Sequence, residues 1–375
     1  MVKICLVAHL AYGAITGGSK GAIGGVERQT SLMAKWLVGK GHQVSLLTWT
    51  EGDYGDEVVD GVQVIKICRK GDGVPGLRFF HPRWTGLISA MKRADADVYY
   101  QNCGEYVTGQ VAMWCKLNNK KFLYSLANDA DAEPSLSIMH TYRERWLYKY
   151  GLLNADQVIA QTRTQMNSLK KGFNLDSIIM PMPCPGPDEI EYQPLQWYTD
   201  KPTILWAARI HRSKRLEVFL EVVAELPEYN FVVGGSPGEI DEYSKELMDS
   251  MAKLDNLTYL GMVARADMPA LYRSSTLFCC SSEYEGFPNT FLEAWSHGVP
   301  IVSTFDPDSL IEERQLGLRA RNKDELVSGI QELCSDRDLW QSHSANARQY
   351  YQENHSVNYV MERFEKIFIN LENQI

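Results

Sequence analysis

Ser281-Ser282-Glu283-Tyr284-Glu285-Gly286-Phe287-Pro288-Asn289-Thr290-Phe291-Leu292-Glu293-Ala294-Trp295-Ser296-His297-Gly298-Val299-Pro300-Ile301-Val302 is the stretch on which the reading of this chain turns. Just before it, Thr276–Cys280 is a short apolar run suited to a buried strand, and Pro300–Ser303 reads as the next strand. Between them a loop carries Glu283 and Glu285, and a helix opens around Pro288–Asn289. Proline suits a first helical turn, where its missing N–H costs nothing. Strand, loop, helix, strand is the repeating unit of a parallel sheet. The free N–H groups of Asn289, Thr290 and Phe291 would form an anion site at the helix start, flanked by Glu285 and Glu293. Amides suit phosphate, and carboxylates suit the hydroxyls of ribose or a sugar. Two carboxylates eight residues apart mean nothing alone; the whole string carries the signal.

The same grammar runs outward in both directions. Towards the N-terminus, strands are expected at Val2–Ala8, Gln43–Thr48, Val62–Ile67, Asp97–Tyr100, Lys121–Leu126 and Val158–Ala160, mostly separated by helical stretches. A glycine-rich loop with Gly13, Gly17, Gly18, Gly21, Gly24 and Gly25 follows the first strand. Met180–Pro194 holds five prolines and Gly186, can continue neither a helix nor a central strand, and reads as a linker. Beyond it the alternation restarts with strands at Thr203–Ala208, Phe231–Gly234 and Leu257–Leu260. The expected fold is α/β, with two Rossmann-like doubly wound domains facing across a cleft, spanning 1–188 and 189–355. A last helix within 356–375 would pack across the domain junction.

Length and composition agree with that layout. The 375 residues are 45% hydrophobic and 23% charged, which excludes a disordered, collagen-like or disulfide-stapled chain. Residues 1–188 carry 21 Lys/Arg against 17 Asp/Glu, whereas 189–375 carry 17 against 30, so the net charge of −9 hides a basic first half. No clustered basic stripe marks a nucleic-acid binder. The eight cysteines show no C-x-x-C spacing, as in a reduced, cytoplasmic protein. An N-terminal secretion signal is disfavoured, because His9 interrupts the apolar Ile4–Ala8 and no clean cleavage site follows. No run reaches the roughly 18 apolar residues of a membrane span.

With these residues in hand, the chain resembles the retaining glycosyltransferases of the GT-B fold, especially family four. Glu285-Gly286-Phe287…Glu293-Ala294…Gly298-Val299-Pro300 looks like their E-x7-E signature. Gly24-Gly25-Val26-Glu27-Arg28 resembles their first glycine-rich loop, and Arg209…Lys214 their diphosphate-binding loop. The resemblance implies a UDP- or GDP-sugar donor, a glycan or lipid-linked acceptor, and hexosyl transfer in surface polysaccharide synthesis. It assigns Arg209 and Lys214 to the diphosphate, Glu285 to the transferred sugar and Glu293 to the ribose. Gly24, Gly25, Gly286, Phe287, Asn289 and Thr290 would complete the donor site. Many relatives carry a histidine after the strand corresponding to Lys121–Leu126. This chain reads Leu126-Ala127-Asn128-Asp129 there, and either Asp129 or Asn128 takes that place. The implied mechanism lets the departing phosphate accept the acceptor's proton, so no dedicated base is obligatory.

No cofactor is expected. Three D-x-D strings, Asp95–Asp97, Asp129–Asp131 and Asp306–Asp308, invite a metal reading, yet such pairs recur by chance, and metal-independent chemistry is expected. His9, His140 and His297 are read as structural. Tyr142, Trp146 and Tyr150 recur every fourth residue and are read as a core-facing stripe, with Arg143, Arg145 and Lys149 left to meet anionic lipid in a peripheral contact at the inner membrane face. A nucleotide-sugar epimerase or hydrolase on the same fold is the alternative enzyme. A two-lobed solute-binding protein would lack both charged sets.

Overall fold

The computed structural model describes residues 1–18, 24–137, 139–197 and 201–375; Gly21 of the glycine-rich loop lies outside them. Two units emerge, Met1–Met182 with Val360–Ile375, and Pro183–Tyr359. The final helix, Val357–Glu372, is therefore counted for most of its length with the first unit.

The first unit is built on eight strands: β1 (Lys3–Val7), β2 (Gln43–Thr48), β3 (Glu57–Val59), β4 (Val62–Lys66), β5 (Val98–Asn102), β6 (Lys121–Ser125), β7 (Gln157–Ala160) and β8 (Ile178–Ile179). Their order is β3-β4-β2-β1-β5-β6-β7-β8, parallel except for the antiparallel β3–β4 pair. The near-continuous apolar runs of β1, β5 and β6 follow from burial on both faces of a parallel sheet. Its core gathers Cys5, Leu47, Tyr99, Phe122, Tyr124 and Tyr148.

The second unit repeats the plan with β9 (Thr203–Ala207), β10 (Asn230–Gly234), β11 (Leu257–Gly261), β12 (Leu277–Cys280), β13 (Ile301–Ser303) and β14 (Gly317–Arg319). The order is β11-β10-β9-β12-β13-β14, parallel throughout. Trp206, Phe219, Phe231 and Trp340 fill its core. Each sheet reverses its winding once, between β1 and β5 and between β9 and β12. Such switch points open a crevice at the carboxyl ends of the strands.

One expectation is overturned. Tyr142, Trp146 and Tyr150 lie on the helix Tyr142–Leu153, but its buried face is Leu147, Tyr148, Gly151 and Leu152, and of the three only Tyr150 packs, half-buried, against the core. Tyr142 is 85% and Trp146 51% exposed. The helix has apolar residues on opposite faces, and periodicity alone cannot say which one is inside.

Candidate functional site

The second unit's switch point collects the charged residues. After β9 the chain passes Arg209, which is exposed, and makes a short 3-10 turn over Arg212–Lys214. Gly235, at φ +144°, lets this loop start: a β-carbon there would lie 1.8 Å from the Ala208 carbonyl oxygen. Arg215 closes the turn in the left-handed region at φ 50°, a conformation worth attention beside a site. The Ser281 hydroxyl, at the end of β12, donates to the Lys214 carbonyl at 2.8 Å and accepts from Trp206 Nε1 at 3.1 Å. The Glu283 amide donates to the Ser213 carbonyl at 2.9 Å. These bonds tie the β9 loop to the β12 loop.

The tie brings together two of the expected residues. Lys214 Nζ forms an ion pair with Glu285 Oε1, and Ser282 Oγ donates to the same oxygen at 2.8 Å. Gly286 and Phe287 are half-buried, and the Phe287 ring packs edge-on against Trp295, its centroid 6.3 Å away. Arg209 makes no hydrogen bond or ion pair among the described residues.

The helix spans Asn289–Ser296, so Pro288 sits at its cap instead of in its first turn. With ψ 119° the proline is extended, and its carbonyl takes the Phe291 amide at 3.1 Å. Of the three amides expected free, Phe291 is therefore occupied. Asn289 and Thr290 keep theirs without a protein acceptor among the described residues.

Glu293 lies one turn further in and is only 7% exposed. Arg265 Nη1 pairs with its Oε1, and the Tyr272 hydroxyl donates to its Oε2 at 3.0 Å. Burial, and then the adjacent carboxylate, raise the Tyr272 phenol well above its usual range, so it stays a donor. Sequence reasoning missed both partners: Arg265 lies in a loop after β11 with no motif, and Tyr272 reads as ordinary helix. Arg265, Tyr272 and Glu293 line a cavity of about 680 Å³ that continues past Met268 to Gly186 and His297. His297 is held down to about 4, by burial first and then by Arg273 and Arg348, and is neutral.

In the first unit, Gly24 caps the helix Gly25–Gly39, which leaves Gly25 in its first turn. At the switch point, His9 stacks on Trp49 at 4.2 Å, and Glu105 approaches it to 3.7 Å. Glu105 carried no signal in the sequence, because its place beside β1 is a product of sheet order. Asn128 caps a short turn over Asp129–Ala132, and Asp129 Oδ1 accepts from Gln165 Nε2 at 3.0 Å. Asp131 is the buried member of this group. Burial lifts its carboxyl to about 6, against amide donors including those of Ala127 and Asn128. In the other two D-x-D strings, Asp95 and Asp97 face Lys120, and Asp306 accepts from the Ile311 and Glu312 amides.

The sequence matches the family descriptions "Glycosyl transferase 4-like domain" over residues 24–177 and "Glycosyl transferases group 1" over 188–350. The chain belongs to the GT-B glycosyltransferases of the family-four-like kind. Among curated relatives, the UDP-N-acetylglucosamine–peptide N-acetylglucosaminyltransferase GtfA subunit of Streptococcus agalactiae is 25% identical over 41% of this chain and 32% of its own length. Mannosylfructose-phosphate synthase of Agrobacterium fabrum is 28% identical over 40% of this chain. The chain thus spans 32% and 38% of these two relatives' length. In structure it is similar to sucrose-phosphate synthase from Thermosynechococcus elongatus, with a TM-score of 0.76, 16% identity and 99% of both chains covered. That likeness concerns the fold. No helix among the described residues is long and apolar enough to cross a membrane.

Proposed function

We propose that this protein is a retaining glycosyltransferase that moves a hexose from a UDP- or GDP-sugar to a glycan or lipid-linked acceptor in surface polysaccharide synthesis. The observation that carries the reading is the Lys214–Glu285 pair, with Arg209 one loop away, at the switch point of the second sheet. A diphosphate needs cations, and a guanidinium can grip it bidentately while an ammonium serves as a point charge. The amides of Asn289 and Thr290 add uncharged donors at a helix start.

In the reaction, the bond from the anomeric carbon to the diphosphate oxygen breaks and a bond to the acceptor hydroxyl oxygen forms on the same face. The hydroxyl proton passes to the departing phosphate. Arg209 and Lys214 stabilise the charge that builds on the leaving group, and Glu285 orients the transferred sugar through its hydroxyls. Glu293, held by Arg265 and Tyr272, takes the ribose side of the donor. Gly24 and Gly25 allow close approach of a phosphate to a helix start in the first unit. Asp129 or Asn128 stands where relatives carry a histidine, and Asp129 acts as an orienting acceptor towards the sugar. Cations and amides do the work that a metal does in other transferases.

A thermal-shift screen with UDP and GDP, followed by hydrolysis of matching nucleotide sugars with and without EDTA, tests the reading. One nucleotide diphosphate should raise the melting temperature, and turnover should survive the chelator. Failure of every nucleotide to bind, or turnover that returns only with manganese or magnesium, overturns it.

A further inference from the structure

The helix Tyr142–Leu153 has a second face that is left exposed among the described residues. Tyr142, Trp146, Lys149 and Leu153 follow one another at the spacing of a single helical face and are all exposed. The opposite face is fixed inward by unusually close packing: a β-carbon on Gly151 would lie 2.4 Å from the Thr108 carbonyl carbon, and one on Gly109 would lie 2.2 Å from the Leu147 carbonyl oxygen. The helix cannot roll to bury its aromatic stripe without losing that contact. Lys116 Nζ donates to Asn154 Oδ1 at 3.1 Å, which sets the ends of the two packed helices side by side. Leu117, at that end, is 84% exposed.

The charges around the stripe have one sign. Arg143 lies over the Phe79 ring, 3.7 Å from its centroid, and Arg145 donates to the Met139 carbonyl at 3.0 Å. Neither they nor Lys149 meets a carboxylate among the described residues. Glu144, the one acid in this part of the helix, is spent on the amides of His140 and Thr141 at 3.1 and 3.0 Å. Phe79 in turn packs against Phe80, itself an exposed ring.

We propose that this face is a docking surface for a bilayer bearing anionic headgroups, with Tyr142, Trp146 and Leu153 entering the interface and Arg143, Arg145 and Lys149 meeting phosphate. Tyrosine and tryptophan settle at the headgroup level, where one part of the ring is apolar and the other wet. Cations beside them add electrostatic attraction to acidic lipid. A second copy of the chain is a poorer occupant, because a two-fold contact would set these cations against themselves. The proposal uses none of the residues assigned to the donor, so it survives or fails independently of the proposed reaction.

Co-sedimentation with phosphatidylcholine vesicles, with and without phosphatidylglycerol, tests it on the full chain. The protein should pellet with the anionic vesicles only, and less so in high salt. Arg145→Glu with Lys149→Glu should lower the partition by more than about tenfold, and Tyr142→Ser with Trp146→Ser by about tenfold. The aromatic variant should keep the wild-type melting temperature, since Tyr142 and Trp146 are exposed, and the charge variant should stay folded with the loss of one hydrogen bond, from Arg145 to Met139. If the aromatic variant fails to fold, the charge variant decides. No partition by the wild type, or equal partition by a folded charge variant, overturns the proposal. So does a solution dimer that Trp146→Ser dissociates, since a second copy would then cover the face.

Discussion

The carboxyl ends of β9 and β12 and those of β1 and β5 are equivalent places in two sheets of the same winding, yet they are furnished differently. The second unit's crevice holds Lys214 against Glu285, with Arg209 exposed on the same loop after β9. The first unit's crevice holds His9 on Trp49, Glu105 at 3.7 Å, and the Asn102 amide reaching Gln29 at 3.4 Å. One place concentrates cations that a multiply charged ligand can recruit. The other offers a carboxylate, an amide and an aromatic ring, which suit hydroxyl groups better than phosphates. The fold supplies the crevice in both cases, and the side chains decide what each can hold.

The two carboxylates of the second unit sharpen the comparison, because they should fail in different ways. Glu285 is partly exposed beside Lys214. Glu285→Gln should lower kcat on the order of 100-fold with little change in donor KM, as expected for a contact that strengthens at the transition state. Glu293 grips a part of the donor that does not change during reaction, so Glu293→Gln should raise donor KM about tenfold and spare kcat. It should also cost roughly 1–2 kcal/mol of stability, because Arg265 and Tyr272 lose their shared acceptor, with Arg265 close enough to water to recover part of the loss. Steady-state kinetics and melting temperatures on both variants separate these outcomes. Equal effects on kcat would erase the distinction drawn between them.

A smaller effect contrasts the units through pH. Asp131 in the first unit is lifted to about 6, and its unfolded value is near 4. The folded chain therefore binds a proton that the unfolded chain has released, and stability falls as pH rises from about 4 to 6. His297 in the second unit is lowered to about 4, from an unfolded value near 6.5. There the unfolded chain binds the proton, and stability falls as pH drops from about 6.5 to 4. The two slopes oppose each other in one window. Urea midpoints across it should turn downward on the acid side in Asp131→Asn, and downward on the neutral side in His297→Gln. Parallel pH profiles in the two variants would contradict the assignment.

Much of this arrangement was legible in the sequence, for reasons that also mark where legibility ends. Runs such as Lys3–Val7 and Leu277–Cys280 are apolar on both faces because parallel strands are covered twice, so they stand out. Glu57–Val59 and Gly317–Arg319 are three-residue strands at sheet edges, too short to show a period, and were missed. Lys214 and Glu285 could each be singled out in advance because each follows a strand in a recognisable string, whereas their ion pair shows only in the fold. Arg265 could not, since only the folded β11 loop brings it to Glu293. The Tyr142 stripe misled because the true core face, Leu147 to Leu152, lies on the same helix half a turn away.

Isothermal titration of UDP and GDP into the wild type, Arg209→Ala and Lys214→Ala tests the central claim most directly. Each variant removes a charge-assisted contact worth on the order of 1.5–3 kcal/mol, so the preferred nucleotide should bind at least about tenfold more weakly to both. Wild-type affinity in both variants would contradict a diphosphate site at the end of β9.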